Sequence, residues 1–560
     1  MHELKPKLFS VMKHYSKDQL IKDIISGIIV AIIALPLSIA LAIASGVGPE
    51  KGLYTAIIAG FCISFFGGSR VQIGGPTAAF VVIIYGIIQK FGVDGLIVAT
   101  IMAGIFMIIL GICRAGNLIK FIPYTITEGF TAGIAVTIAV GQLKDFLGID
   151  MGALPSEFLE KVVAIGENIT KFNWVALVIG MAALLIQIFW PKLMGLLPEK
   201  LKYVKAIPGS LIAIILTTVA VNCFDLPVNT IGSLDYELSA KLPGISIPNV
   251  NFKMIKELLS PAMTIAILAS IESLLSAVVA DGMIGSKHRS NAELVGQGIG
   301  NIMSGLFGGI PATGAIARTA ANIKNGGRTP IAGIVHSIVL LVILVVLMPY
   351  ASWIPMPTLA AILIIVAYNM AGIKNCVKLC KRAPKSDILV FALTFILTVF
   401  FDLVVAIEVC MIVAAALFLK RAAETTEIKS WKNTFESKDN TNEHIRCKNV
   451  PQFTKVYEIC GPMFFGMTDS FMNIVADKDT KVIILRMRGV PSLDLSALES
   501  LYEIQEKCKD KNITLILSHV NEQPLKVMKR AKFDKEVGRD NFCANIDDAL
   551  KRAESLVAEN

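Results

Sequence analysis

Charge is scarce in this 560-residue chain: Asp, Glu, Lys and Arg together make up 17% of it, against about 25% in ordinary soluble domains. Only six histidines and four tryptophans occur. The ten cysteines contain no CxxC pair, and only Cys376 and Cys380 fall at helical spacing, so neither disulfides nor a zinc site is expected and the cysteines read as packing residues. No metal-ligand cluster, nucleophile elbow or phosphate loop is present, which argues against an enzyme and against any bound cofactor. Three of the tryptophans, Trp174, Trp190 and Trp353, stand near the ends of apolar runs, where interfacial anchors belong.

What the chain has instead is apolar surface. Hydrophobic residues make up 54% and mean hydropathy is +0.65, the composition of a polytopic membrane protein. Through Arg421 there are 32 basic and 22 acidic residues, and beyond it 21 and 22. The basic excess therefore sits in the membrane part, where it fits loop topology and not nucleic-acid binding. The first apolar run starts at Ile24, is too long for a signal-peptide core and lacks a small-residue cleavage site, so no removable leader is expected.

Apolar stretches fall at about 23–45, 52–67, 76–90, 94–113, 126–147, 174–195, 207–224, 257–283, 293–308, 314–323, 329–350, 357–371, 386–402 and 404–421, fourteen elements in all. The third and tenth are too short to cross a bilayer core of about 20 helical residues. Both begin at the same rare punctuation: Gly74-Gly75-Pro76-Thr77 and, about 234 residues later, Gly308-Gly309-Ile310-Pro311. The first and eighth elements repeat at the same distance. Two halves of seven elements are expected, about 23–225 and 257–421, and because seven is odd the second is inverted. Lys5, Lys7, Lys13, Lys17 and Lys22, together with alternate loops rich in Lys and Arg, all fall on one side of a fourteen-element chain, which places both termini in the cytoplasm.

Residues 1–22 read as an N-terminal tail, 23–421 as the membrane domain, 422–449 as a polar linker and 450–560 as a small α/β domain. In the last, Lys455 to Cys460, Lys481 to Met487 and Ile513 to His519 read as strands, and Asp469 to Ala476, Ser496 to Lys509 and Pro524 to Ala531 as helices.

The chain resembles the SulP anion transporter family, which includes the animal SLC26 proteins, from about residue 20 to its C-terminus. The resemblance rests on Ala34-Leu35-Pro36 with Gly52-Leu53-Tyr54, on Glu128-Gly129-Phe130-Thr131-Ala132-Gly133, on the two Gly/Pro segments and on a C-terminal part like the STAS domain. Ile271 to Leu275, Asp281-Gly282-Met283, Glu293 to Gly298 and Ala315 to Arg318 are most similar to the bacterial C4-dicarboxylate branch. The resemblance implies a 7+7 inverted repeat, a core of elements 1–4 and 8–11 that moves like an elevator against a gate of elements 5–7 and 12–14, a homodimer, and an inner-membrane location. The most direct functional expectation is proton-coupled uptake of a C4-dicarboxylate. Sulfate or bicarbonate transport, coupled to protons or sodium, and an uncoupled anion channel or exchanger are alternatives. A membrane-anchored signalling protein with a cytoplasmic partner for the STAS-like domain is a further one.

The residues carry their own chemistry. Helices starting at Thr77 and near Ala315 direct free backbone amides toward the middle of the bilayer, each end equivalent to about half a positive charge. Thr77, Ala78, Ala79 and Phe80 in one half, and Gly314, Ala315 and Ile316 in the other, are the expected anion contacts. Small side chains there serve either close approach of an anion or close helix packing. Arg318 adds a permanent charge with bidentate geometry suited to a carboxylate or sulfate, or else pairs with an acid such as Glu293. Glu272 and Ser276, at i and i+4, share one helix face. With about +1 from two helix ends and +1 from Arg318 against −1 from Glu272, a divalent anion binds best when Glu272 is protonated, and this makes Glu272 and Ser276 the expected coupling-ion residues. A Glu272–Arg318 salt bridge is the structural alternative. His336 is expected to be a satisfied interhelical hydrogen-bond partner. Many relatives have Gln after the first-element proline, whereas Leu37 stands here and Leu41 replaces a common aromatic, so the pocket should be more apolar than in sulfate or chloride carriers. Ser496 follows Asp494-Leu495 at the turn where some STAS relatives carry a phosphorylatable serine; its plain reading is helper to an Asp494 helix cap.

Overall fold

The computed structural model describes residues 4–12, 15–116, 123–152, 154–155, 157–195, 207–234, 244–401, 403–424, 426–430, 450–464 and 479–559. The chain divides into two compact units, Met1–Met411 and Ile412–Asn560.

The membrane-type helices are α1 (Lys17–Ala44), α2 (Pro49–Phe66), α3 (Val81–Ile112), α4 (Tyr124–Gly141), α5 (Trp174–Gly195), α6 (Gly209–Cys223), α7 (Phe252–Ile284), α8 (Ser290–Leu306), α9 (Ile316–Lys324), α10 (Ile331–Leu347), α11 (Met356–Ala371), α12 (Lys385–Phe400) and α13 (Leu403–Glu424). The third and fourth apolar elements are the two arms of α3, which breaks at Gly92 where φ is 65° and ψ is −163°. All fourteen expected elements are thus present.

Caps follow the sequence. The Ser16 side chain accepts from Gln19 N to open α1, and Asn251 does the same for Lys253 N at α7. At its far end α7 stops on left-handed Gly285, with φ 63°.

Packing sorts the helices into two groups: α1, α2, α3, α7, α8, α9 and α10 pack chiefly on one another, as do α4, α5, α6, α11 and α12. The first group comes from elements 1–4 and 8–11. One close crossing in it joins α3 to α8 at Gly104 and Gly298, where a Cβ on either would lie 2.6 Å from the other's carbonyl oxygen. Only glycine permits that approach.

The Gly/Pro segments meet as two short strands, β1 (Gly74–Gly75) and β2 (Thr313–Gly314), paired antiparallel with Gly74 opposite Gly314. β1 packs against α2 and β2 against α7, and every residue from Val71 to Pro76 and from Ile310 to Ala315 is buried.

The second unit carries a five-stranded sheet in the order β3 (Glu427–Ser430), β4 (Thr454–Cys460), β5 (Val482–Gly489), β6 (Thr514–Ser518), β7 (Phe542–Cys543). All of its pairs are parallel except β3 with β4. Helices α14 (Leu495–Asp510), α15 (Glu522–Arg530) and α16 (Ile546–Glu559) accompany the strands. β3 occupies sequence read above as linker, and the expected helix over Asp469 to Ala476 lies outside the described residues.

Candidate functional site

The strand pairing brings the two interrupted segments to one point, and α7 fastens both. Ser273 accepts a hydrogen bond from Gly314 N at 3.0 Å and shares one with Thr313 Oγ1 at 2.7 Å. Thr313 Oγ1 also donates to Ala269 O at 3.0 Å, and Gln72 Nε2 donates to Ser273 O at 3.0 Å. Asn301 on α8 secures the approach to β2, donating to Ala312 O at 2.9 Å and accepting from Ala312 N at 2.8 Å. Gln72 and Asn301 do not stand out in the sequence, and Ser273 and Thr313 stand there only within longer motifs and with no role of their own, because a small polar side chain within an apolar run looks like a packing residue until its partner is known.

The expected contacts fall around this crossing. Thr77 is half-buried and extended, followed by a tight 3-10 turn over Ala78–Phe80 and then α3. Ala78, Ala79 and Phe80 are buried. On the other side Ala315 N donates to Ile73 O at 2.9 Å, so the amides of Gly314 and Ala315 are both used by the fold. A Cβ at Gly314 would stand 1.6 Å from Gln72 Nε2, so close packing accounts for that glycine. The free first-turn amides of α9 begin at Ile316, which is 44% exposed.

Glu272 and Ser276 do share a face, and each reaches a different half. Glu272 Oε2 accepts from Thr77 Oγ1 at 3.2 Å, while Ser276 Oγ donates to Thr319 Oγ1 of α9 at 3.4 Å. Thr319 Oγ1 in turn accepts from Ile73 N at 3.1 Å.

Arg318 is only 1% exposed. Its Nη2 donates to the Pro76 carbonyl, linking α9 of the second half to the Gly/Pro segment of the first. Neither acid proposed as a partner in the sequence reading touches it. Glu272 binds Thr77, and Glu293 accepts from Gly68 N, Ser69 N and Gln297 Nε2 at 2.8, 2.9 and 2.9 Å. The Nε and Nη1 atoms of Arg318 are buried with no partner among the described residues. His336 differs from expectation in the same way: it is fully buried, yet neither ring nitrogen has a partner among the described residues.

A guanidinium with no counter-charge among the described residues, a helix end with free amides and a carboxylate thus converge where β1 crosses β2. Such a site can take an anion and exchange a proton or a cation. Ser496 is exposed on the first turn of α14, whose cap is the Asp494 side chain accepting from Ala497 N at 2.8 Å.

Comparison with known proteins identifies the family. Residues 20–394 match the sulfate permease family and residues 445–549 the STAS domain. The "Putative sulfate transporter YvdB" of Bacillus subtilis is 40% identical over 541 residues, covering 96% of this chain and 98% of that protein. The bicarbonate transporter BicA of Picosynechococcus is 31% identical over 549 residues, covering 95% and 94%. The transmembrane domain of a cyanobacterial BicA superposes with a TM-score of 0.61 at 30% identity, covering 72% of this chain and 98% of that one. Murine Slc26a9 gives 0.87 at 18% identity, covering 99% and 94%, which shows a common fold. YvdB and the BicA proteins are named for sulfate and bicarbonate and not for C4-dicarboxylates, so the dicarboxylate branch expected from the sequence is not supported. The relatives are transporters and not enzymes, and the chain belongs to the sulfate permease family of secondary anion transporters, with a C-terminal STAS domain.

Proposed function

We propose that this protein carries a small inorganic oxyanion, sulfate or bicarbonate, across the membrane, and that Glu272 couples its movement to a proton. The observation that carries the reading is the meeting of Arg318, the start of α9 and the Glu272–Thr77 hydrogen bond at one strand crossing. Arg318 and the α9 amides supply positive charge, and protonation of Glu272 removes the negative charge that opposes an anion. The names of the relatives favour an inorganic oxyanion over the dicarboxylate first expected. The separate packing of α1–α3 with α7–α10, and of α4–α6 with α11 and α12, suits movement of the first group against the second. Both termini lie in the cytoplasm on the basic side of an inner membrane, and the working form is a homodimer.

The test is uptake of labelled sulfate, labelled bicarbonate and labelled succinate into vesicles holding the purified protein, each with the other two in excess and with or without imposed proton and sodium gradients. Inhibition of uptake by sulfate or bicarbonate but not by succinate supports the proposal. Uptake of succinate alone returns the dicarboxylate reading, and dependence on sodium with no response to protons rejects the coupling ion.

A further inference from the structure

The N-terminal segment does more than lead into α1. Residues 4–12 lie across loops from both halves of the first unit. Lys7 N donates to Gly67 O at 2.9 Å and Lys7 Nζ to Lys287 O at 2.7 Å, while Arg289 Nη1 donates to Lys5 O at 2.8 Å. Arg289 N also donates to Gly68 O at 3.0 Å. The segment therefore clasps the loop after α2 to the loop before α8.

This clasp crowds positive charge. Burial, and then the charges of Arg289 and Arg70, push the Lys7 ammonium below its ordinary range, with Asp281 alone opposing them. Asp281 is already engaged: it accepts from Ser286 Oγ at 2.8 Å and from His288 N at 2.7 Å, and its Oδ2 sits 2.7 Å from His288 Nδ1. Among the described residues Lys5, Lys7, Arg70, Lys287 and Arg289 form no ion pair with a carboxylate, and the Nε of Arg70 is buried without a partner. Membrane topology explains basic loops on this side, but it does not explain a clasp that holds cations together without acids.

An apolar track begins at the same place. Phe9 meets Phe65 edge-on at 5.9 Å, and Phe65 stacks on Phe61 at 5.9 Å, one turn along α2. Leu4, Phe9, Met12 and Phe61 are all 40–47% exposed. Cations at one end and a file of aromatic rings running onto a membrane helix, with Phe9 and Phe61 exposed and Phe65 half-buried between them, form an amphipathic surface.

We propose that this surface binds an anionic phospholipid, its phosphate held by Lys5, Lys7, Arg70, Lys287 and Arg289 and one acyl chain laid along Phe9, Phe65 and Phe61. A bound phosphate neutralises the crowded charge and strengthens the clasp between the two halves. The site is separate from the anion crossing and uses none of its residues.

The experiment is native mass spectrometry of the purified full-length protein titrated with phosphatidylglycerol, with phosphatidylcholine, and with glycerol 3-phosphate as a headgroup lacking chains. The variant is the pair Lys5→Glu and Lys287→Glu, whose main-chain carbonyls still accept their hydrogen bonds. Each basic side chain near an anionic lipid is worth about a fivefold gain in binding, so the pair should weaken phosphatidylglycerol by about 25-fold or more. Phe61→Ala should weaken it without changing the preference over phosphatidylcholine. The proposal is overturned if the charge-reversed pair holds phosphatidylglycerol as well as the wild type does, if phosphatidylcholine binds equally, or if glycerol 3-phosphate displaces the lipid at equal concentration.

Discussion

Ser273 holds the crossing to α7, and Ser273→Ala removes one oxygen from a place that water does not reach, since both Ser273 and Thr313 are fully buried. Gly314 N then loses its acceptor, whereas Thr313 Oγ1 keeps Ala269 O as a partner. One stranded amide costs about 1–3 kcal/mol. The loss falls on the contact that aligns Glu272, one residue away on α7, with Thr77. If the anion binds only the aligned crossing, affinity falls by the same free energy, about 5- to 150-fold, because 1.4 kcal/mol is tenfold. The assay is equilibrium binding of labelled sulfate and bicarbonate to the purified protein. Thr313→Ser, which keeps the hydroxyl, serves as control and should stay within about threefold of wild type. Unchanged affinity in Ser273→Ala, with the fold intact by circular dichroism, would refute the idea that α7 fixes the site through this bond.

Gly298→Ala should lower the unfolding temperature and the yield of folded protein, because its Cβ would meet the Gly104 carbonyl at 2.6 Å and overpacking a helix crossing costs about 1–3 kcal/mol; thermal unfolding followed by tryptophan fluorescence checks this. Asp494→Ala should speed hydrogen exchange at Ala497, whose amide loses its cap, with a cost of about 0.5–2 kcal/mol to α14 and no change in anion binding. Arg318→Met should abolish measurable anion binding while leaving the protein folded, since it removes a buried charge that no carboxylate among the described residues neutralises; a variant that binds normally would remove Arg318 from the site.

Hydropathy and Gly/Pro punctuation make the membrane elements legible because a bilayer constrains length and composition so strongly. Even the Gly92 break shows in the sequence, as a gap between the third and fourth runs. The pairing of β1 with β2 does not show, because strands of two residues have no period to read. β3 is missed for a related reason: in Glu427-Ile428-Lys429-Ser430 only Ile428 is apolar, and β4 supplies the rest of the pairing.

At the site the sequence points to Thr77, Glu272, Ser276 and Arg318, residues that are costly or out of place in an apolar chain. It does not show how they pair. Arg318 turns to the Pro76 carbonyl instead of an acid, and Glu272 turns to Thr77. Gly314, expected to admit an anion, is held against Gln72. Those choices depend on which backbone groups the crossing leaves within reach, and that is tertiary information.

The most direct measurement compares wild type with Glu272→Gln in vesicles bearing an imposed inward proton gradient, following labelled oxyanion uptake and equilibrium exchange together. The wild type should take up anion faster with the gradient than without it. Glu272→Gln should still exchange anion but gain nothing from the gradient. Equal stimulation of both proteins would contradict the assignment of Glu272 as the coupling residue.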